Sequence, residues 1–243
     1  MSSAAMVMEA RGVRRNFASG EGMLRVLRGV DLRVRPAEIV AVVGPSGSGK
    51  STLLHALGGL DRPDEGEVRL DGQSLWDMAE PDLAAIRNRR IGFVFQFHHL
   101  LPDFSARENV SLPCRIAGMR AGEAASRASE LLEAVGLSDR ADHRPAELSG
   151  GEQQRVSMAR ALANHPTIVL ADEPSGNLDV STRRELHALV DQLRADHGQA
   201  FVVATHDAEL AQHADRVLKM ESGTLHEVAQ DQLHAGAPAG EAL

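Results

Sequence analysis

An α/β fold, with a mostly parallel sheet covered by helices, is what three apolar runs of this sequence predict. EIVAVVG (Glu38 to Gly44), TIVLADE (Thr167 to Glu173) and AFVVATHD (Ala200 to Asp207) are each of strand length. Their apolarity is continuous, not alternating, which suits strands buried on both faces. Stretches of helical spacing separate them, the pattern of parallel strands joined by crossovers.

The elements follow in order. The first run ends in glycine and gives way to helical spacing from Lys50 to about Leu57. Gly122 to Gly136 reads as an amphipathic helix, with Ala125, Ala128, Leu132 and Val135 on one face and a glycine closing it. Leu148 to Ala163 is a further long helical pattern, opened by Ser149 and Glu152 at the separation of a capping box. Residues 96–164 are therefore expected to form a helical subdomain inserted in a single α/β core made of 1–95 and 165–225. A tail, 226–243, follows; its HAGAPAGEAL stretch is small and Pro/Gly-bearing and is expected to fray, as are the first few residues.

Composition narrows the function classes. With 243 residues, 43% of them hydrophobic, the chain can fill a large core. Its longest apolar runs fall far short of the roughly 20 residues that span a bilayer, so no direct membrane insertion is expected. MSSAAMVMEARGVRR lacks the long apolar stretch of a secretory signal, and the single cysteine, Cys114, suits a reducing compartment; both point to the cytosol. The formal charge of −8, from 26 Lys+Arg against 34 Asp+Glu, is the wrong sign for wrapping nucleic acid, although a local basic patch is compatible with it. Eleven histidines fall into no zinc-ligand spacing.

Three motifs carry chemistry. GPSGSGKS, Gly44 to Ser51, matches G-x-x-x-x-G-K-[ST] between a strand and a helix, as a phosphate-binding loop requires. Its glycines let backbone N–H groups curl around phosphate oxygens, the helix start adds a favourable dipole, Lys50 reaches the β and γ phosphates, and Ser51 can ligate Mg²⁺. By composition alone the pattern arises in only about one chain in a hundred of this length. ADEP, Ala171 to Pro174, puts acids at the end of a buried strand. Asp172 can hold the metal and Glu173 can orient or deprotonate a water; alone, the motif reads as a polar strand end turning at Pro174. LSGGEQQRVSMARALA offers a second helix start with unobstructed N–H groups at Gly150 and Gly151. Alone it reads as a capped helix and nothing more; beside a phosphate loop it suggests a γ-phosphate held by another subunit.

LSGGEQQRV, taken with the other motifs and their order, resembles the ABC transporter ATPase family over nearly the whole chain. The resemblance implies a RecA-like ATP-binding core with an N-terminal antiparallel β region and the inserted helical subdomain. It implies ATP and Mg²⁺ as cofactors, the nucleotide held by Gly44, Pro45, Ser46, Gly47, Ser48, Gly49, Lys50, Ser51 and Thr52, and the metal by Ser51, Gln96 and Asp172. Glu173, His206, Gln96 and Lys50 are the implied catalytic set. It also implies a head-to-tail homodimer in the ATP-bound state, in which Ser149, Gly150, Gly151 and Glu152 complete the opposite subunit's site. The chain has no tyrosine, so Phe17 stands where the family usually stacks a tyrosine on adenine. A D-loop spans Gly176 to Asp179.

QFHHLLPDF, Gln96 to Phe104, then acquires a meaning. In the family, the residues after this glutamine line a groove that receives a helix of the integral membrane subunits, so docking is expected near His98, Leu100, Leu101 and Phe104, on the cytoplasmic side of the inner membrane. The other reading of the same residues is a small core under the helical insertion. QFHHLLPDFSARENV, AELSGGEQQRV and DEPSGNLD look most like the lipoprotein-releasing branch of the family, with macrolide-exporter-like and cell-division-like ATPases sharing the His-Leu-Leu element. A soluble ATPase of the family acting on DNA or ribosomes is disfavoured, because the chain has neither a long coiled coil nor a second cassette.

Overall fold

The computed structural model describes residues 6–229 apart from 21 and 177. The fraying expected of HAGAPAGEAL and of the first few residues, and Asn177 of the D-loop, lie outside that range. Two sheets form the core. The first is antiparallel, with β1 (Met8–Ser19), β2 (Gly22–Val34), β4 (Glu65–Leu70) and β5 (Gln73–Ser74) in the order β2-β1-β4-β5. The second contains β3 (Ile39–Val43), β6 (Ile91–Val94), β7 (Ile168–Asp172), β8 (Ala200–Thr205), β9 (Arg216–Glu221) and β10 (Thr224–Val228) in the order β10-β9-β3-β8-β7-β6. All its pairings are parallel except β9 with β10. β10 extends three residues past the expected tail boundary at 225, because His226, Glu227 and Val228 pair with Lys219, Leu218 and Val217.

Continuous apolarity in the three predicted strands has the expected cause. Ile39 and Ala41 of β3 enter one hydrophobic cluster while Val40 and Val42 enter another on the opposite face. β7 and β8 divide in the same way, with Val169 and Phe201 on one side and Ile168 and Val202 on the other. Helix α1 (Lys50–Leu57) fills the space between the sheets: Leu53, Leu54 and Leu57 join Val13 and Val68 of the antiparallel sheet to Val40 and Leu170 of the parallel one. α2 (Glu80–Arg90) leads into β6 at the sheet edge.

Between β6 and β7 lie α3 (Ala106–Ile116), α4 (Ala121–Ala134), two short 3₁₀ turns and α5 (Gly150–Ala161). α4 starts one residue before the predicted helix, and its inward stripe is Ala124, Ala128, Leu131 and Leu132, with Val135 just beyond. Ala125, placed on that face by spacing, is only half-buried: the 3.6-residue period turns it about 100° from Ala124. α6 (Val180–His197) and α7 (Ala208–Gln212) are the remaining helices among the described residues. Among the described residues no helix is long and apolar enough to cross a membrane.

Candidate active site

Strands β3, β8, β7 and β6 lie side by side and parallel, so the segments leaving their C-terminal ends all open on one edge of the sheet, where open α/β sheets hold ligands. After β3 comes the loop from Gly44, after β8 His206, after β7 Glu173 and after β6 Gln96.

The loop is shaped by close approach. A Cβ on Gly44 would stand 2.4 Å from the carbonyl oxygen of Met220 in β9, so the chain can leave the sheet there only as glycine. Gly49, at φ 110°, is the N-cap of α1 and gives the first turn no side-chain partner; the turn also carries no acidic residue. Its N–H groups and dipole are thus free for an anion. Lys50 is 8% exposed and folds back over the loop, its Nζ donating to the Gly44 oxygen at 2.8 Å and to that of Pro45 at 3.3 Å. Ser48 Oγ is buried without a hydrogen-bond partner among the described residues.

Glu173 ties the edge together. It sits in a left-handed bend at φ 47°, its N–H donating to the Ala204 oxygen of β8. One carboxylate oxygen lies 3.6 Å from Lys50 Nζ, and the other is 2.8 Å from His206 Nδ1 while accepting the His206 N–H at 3.2 Å. Gln96 completes the group: a Cβ on Gly176, in the bend after Glu173, would meet Gln96 Nε2 at 3.5 Å.

Asp172 ends β7 beside Ser51. Burial raises its carboxyl above the ordinary value, against a hydrogen bond from Ser51 and the charges of His55 and Lys50. Its Oδ1 is buried with no hydrogen-bond partner among the described residues. A hard oxygen left open beside a serine hydroxyl fits Mg²⁺, and a bound cation would offset the cost of burying the charge.

The structure does not bring every predicted residue to this edge. Ser149 opens α5 with both halves of a capping box: its Oγ accepts from the Glu152 N–H at 3.3 Å, and Glu152 Oε2 accepts from the Ser149 N–H at 2.8 Å. Arg140 Nε adds a third bond to Glu152, and these donors hold its carboxyl down at about 2. Glu152 is thereby engaged within the chain. Gly151 packs on α6, where a Cβ would stand 2.5 Å from Thr182 Cγ2. Among the described residues no hydrogen bond or ion pair joins residues 149–152 to residues 44–52. Phe17, 38% exposed on β1, carries the Arg15 guanidinium over its ring at 4.7 Å. Asp179 caps α6 through Ser181 and Thr182, and the Ser181 bond leads the influences that lower its pKa.

The loop from Gln96 to Phe104 divides. His98 is hydrogen-bonded through Nδ1 to Gln154 of α5, and Leu100 packs on the helical core, so both turn inward. Phe97, Leu101 and Phe104 are 69%, 38% and 39% exposed. His98 and His99 both have positive φ, and Arg160 of α5 holds them there, its guanidinium donating to both carbonyls at 2.6 and 2.7 Å. Asn109, wholly buried, accepts from the Leu101 N–H and donates to the oxygens of Leu101, Phe104 and Ser105.

Sequence reasoning passed over Arg160, Asn109 and Asp207. The last caps α7 through Oδ1 and accepts from Ser175 Oγ at 3.2 Å, joining the segments after Glu173 and His206. Asp207 had a signal, since aspartate after a strand and before a helical stretch is a preferred N-cap. Arg160 and Asn109 had none, because their partners lie 62 and 8 residues away on a loop of no regular period.

A model of the ABC transporter family matches residues 27–176. The lipoprotein-releasing system ATP-binding protein LolD of Porphyromonas gingivalis is 53% identical over 220 residues, 90% of this chain and 99% of that one. LolD of Chromohalobacter salexigens is 52% identical over 224 residues, covering 92% and 94%. Among solved structures, the dimeric ATP-binding cassette MJ0796 bound to ADP and Pi gives a TM-score of 0.86 at 39% identity, covering 92% of this chain and 98% of that one. The likeness to cbiO1 from Clostridium perfringens, TM-score 0.83 at 24% identity, is one of fold.

The capping box at Ser149 generates a pH-dependent prediction. Because folding lowers the Glu152 carboxyl from 4.5 to about 2, its contribution is fully present above pH 4.5 and lost as pH falls toward 2. Glu152→Gln should melt about 1–4 °C below the parent at neutral pH, from about 0.3–1 kcal/mol for an acidic residue at a helix start. Thermal scans should show that gap closing as pH drops through the window; a gap independent of pH would remove the assignment.

Proposed function

The chain belongs to the ABC transporter family, and from that membership we propose that it is the ATP-hydrolysing subunit which drives release of lipoproteins from the inner membrane towards the outer membrane. The observation that carries the ATPase chemistry is the Glu173 carboxylate, poised between Lys50 and His206 at the end of β7. The lipoprotein role is supported by identity above 50%, over about nine-tenths of the chain, to relatives named LolD. ATP hydrolysis is the family's reaction.

Phosphoryl transfer depends mainly on positioning and charge stabilisation. The backbone of Gly44 to Thr52 cradles the β and γ phosphates with Lys50 over them, and Phe17 offers adenine the ring face that Arg15 leaves open. Phosphate oxygens compete with Glu173 for the Lys50 ammonium, leaving that carboxylate to accept a proton from the attacking water. His206 touches the γ-phosphate, and Gln96 orients the water. Ser51, Asp172 and Gln96 would hold Mg²⁺, which would neutralise phosphate charge when bound. Among the described residues, no hydrogen bond or ion pair joins 149–152 to their own phosphate loop, which supports a head-to-tail homodimer where Ser149 and Gly151 close the partner's site. Integral membrane subunits of the LolC/LolE kind dock on Phe97, Leu101 and Phe104, with the inward His98 and Leu100 shaping the loop beneath. This places the chain as a peripheral protein on the cytoplasmic side of the inner membrane.

Glu173→Gln should keep ATP binding, lower turnover by about 10²-fold or more, and accumulate an ATP-bound dimer in size-exclusion chromatography. Normal hydrolysis by that variant would falsify Glu173 as the base.

A mixture of Ser149→Arg and Lys50→Ala chains should regain ATP-dependent dimerisation that neither shows alone, since each supplies the half-site the other lacks. Ser149→Arg alone dimerising like the parent sinks the trans arrangement.

Leu101→Asp should retain basal ATPase activity yet bind its membrane subunits at least tenfold more weakly, since an apolar anchor contributes about 1.5–3 kcal/mol. Depletion of the protein should strand outer-membrane lipoproteins at the inner membrane. Filamentation with normal lipoprotein sorting would point instead to the cell-division role.

A further inference from the structure

The outer charges of the antiparallel sheet form a cross-strand ladder that is balanced at one end and not at the other. At the balanced end, Glu9 of β1 lies between Arg33 of β2 and Arg69 of β4, and Arg11 lies opposite Glu67. At the other end Arg14 lies directly opposite Arg28, and Asn16 opposite Arg25. Like charges facing each other across a strand pair are destabilising.

Glu65 of β4 faces Arg14 from the other side at 3.4 Å, and Asp64 accepts from the N–H and Nδ2 of Asn16 at 2.6 and 3.0 Å. Among the described residues neither Arg25 nor Arg28 forms an ion pair with a carboxylate; the nearest bond is from Arg28 Nε to the Arg25 carbonyl at 3.5 Å. These side chains, with Asn16 and Leu27, line a cavity of about 400 Å³. The Arg14 guanidinium is laid over Gly29, its Nη2 3.5 Å from where a Cβ would stand. Residues 11–35 hold seven arginines against two carboxylates, Glu21 and Asp31, in a chain of net charge −8. None of the lining residues belongs to the phosphate loop or to the Glu173 group.

We propose that Arg14, Arg25 and Arg28 form a second anion site, which takes the phosphodiester headgroup of an anionic phospholipid. The choice of lipid over a soluble anion rests on the peripheral placement proposed above. An acidic protein is repelled by an anionic leaflet, and a cationic cavity gives it one favourable orientation. A guanidinium pair presents planar donor forks suited to phosphate oxygens.

The test is sedimentation of the purified full chain with vesicles of phosphatidylcholine alone, or of phosphatidylcholine mixed with phosphatidylglycerol. The parent should bind only the anionic vesicles, and less as salt rises. The double variant Arg25→Gln/Arg28→Gln should bind roughly thirtyfold more weakly, from about fivefold per arginine near an anionic surface. Arg25→Glu/Arg28→Glu should abolish binding, with the KM for ATP unchanged in both. Several results would overturn the site: equal binding of parent and double variants, equal binding to neutral vesicles, or no binding at all. A raised KM for ATP would assign the arginines to the nucleotide, and loss of vesicle binding to inorganic phosphate at constant ionic strength would assign them to a free anion. None of these bears on lipoprotein release, which the depletion experiment tests separately.

Discussion

The pairing of the Glu173 carboxylate with Lys50 on one side and His206 on the other fixes the task of the rest of the fold. These residues follow β7, β3 and β8, and they meet only because β8 lies between the other two strands with all three parallel. That order requires crossovers, and the crossovers are the helices. It also requires strands apolar on both faces, which is why each supplies residues to two separate clusters. The backbone bears part of the load: Glu173 is in a left-handed bend, an uncommon conformation for a residue with a side chain. The bond from its N–H to the Ala204 oxygen holds that bend against β8.

The strands and the phosphate loop were legible in the sequence because local physics determines them. An uninterrupted apolar run of four or five residues, closed by glycine or polar residues, suits a doubly buried strand, and glycines before a lysine at a helix start suit an anion cradle. The capping box of α5 was equally local, with Ser149 and Glu152 three residues apart and bonded as spacing suggested. In α4 Ala128, Leu132 and Val135 are buried as the spacing suggested, and only Ala125 gives way to Ala124, because apolar spacing alone did not separate the two neighbours.

The loop after Gln96 was the least legible part. Its apolarity was plain, but which residues turn inward depends on Arg160, Gln154 and Asn109, whose positions arise only when α3 and α5 come together. For His98 and Leu100 the sequence left a docking patch and a small core both open, and they turn inward; Phe97, Leu101 and Phe104 face outward. The antiparallel sheet carried a similar ambiguity. Its arginines are visible as composition, but only strand register separates those answered by glutamates from those that face one another.

Helix α5 has a mechanical consequence. Its first turn is the Ser149 capping box, packed through Gly151 on α6, and in its last turn Arg160 grips the carbonyls of His98 and His99. Twelve residues of helix make a rod about 18 Å long, and nothing softer than a guanidinium clamp lies between its two ends and their loads. One rigid element thus carries the Ser149 capping box at one end and holds the turn after Gln96 at the other, so the spacing between those two surfaces is set by helix length.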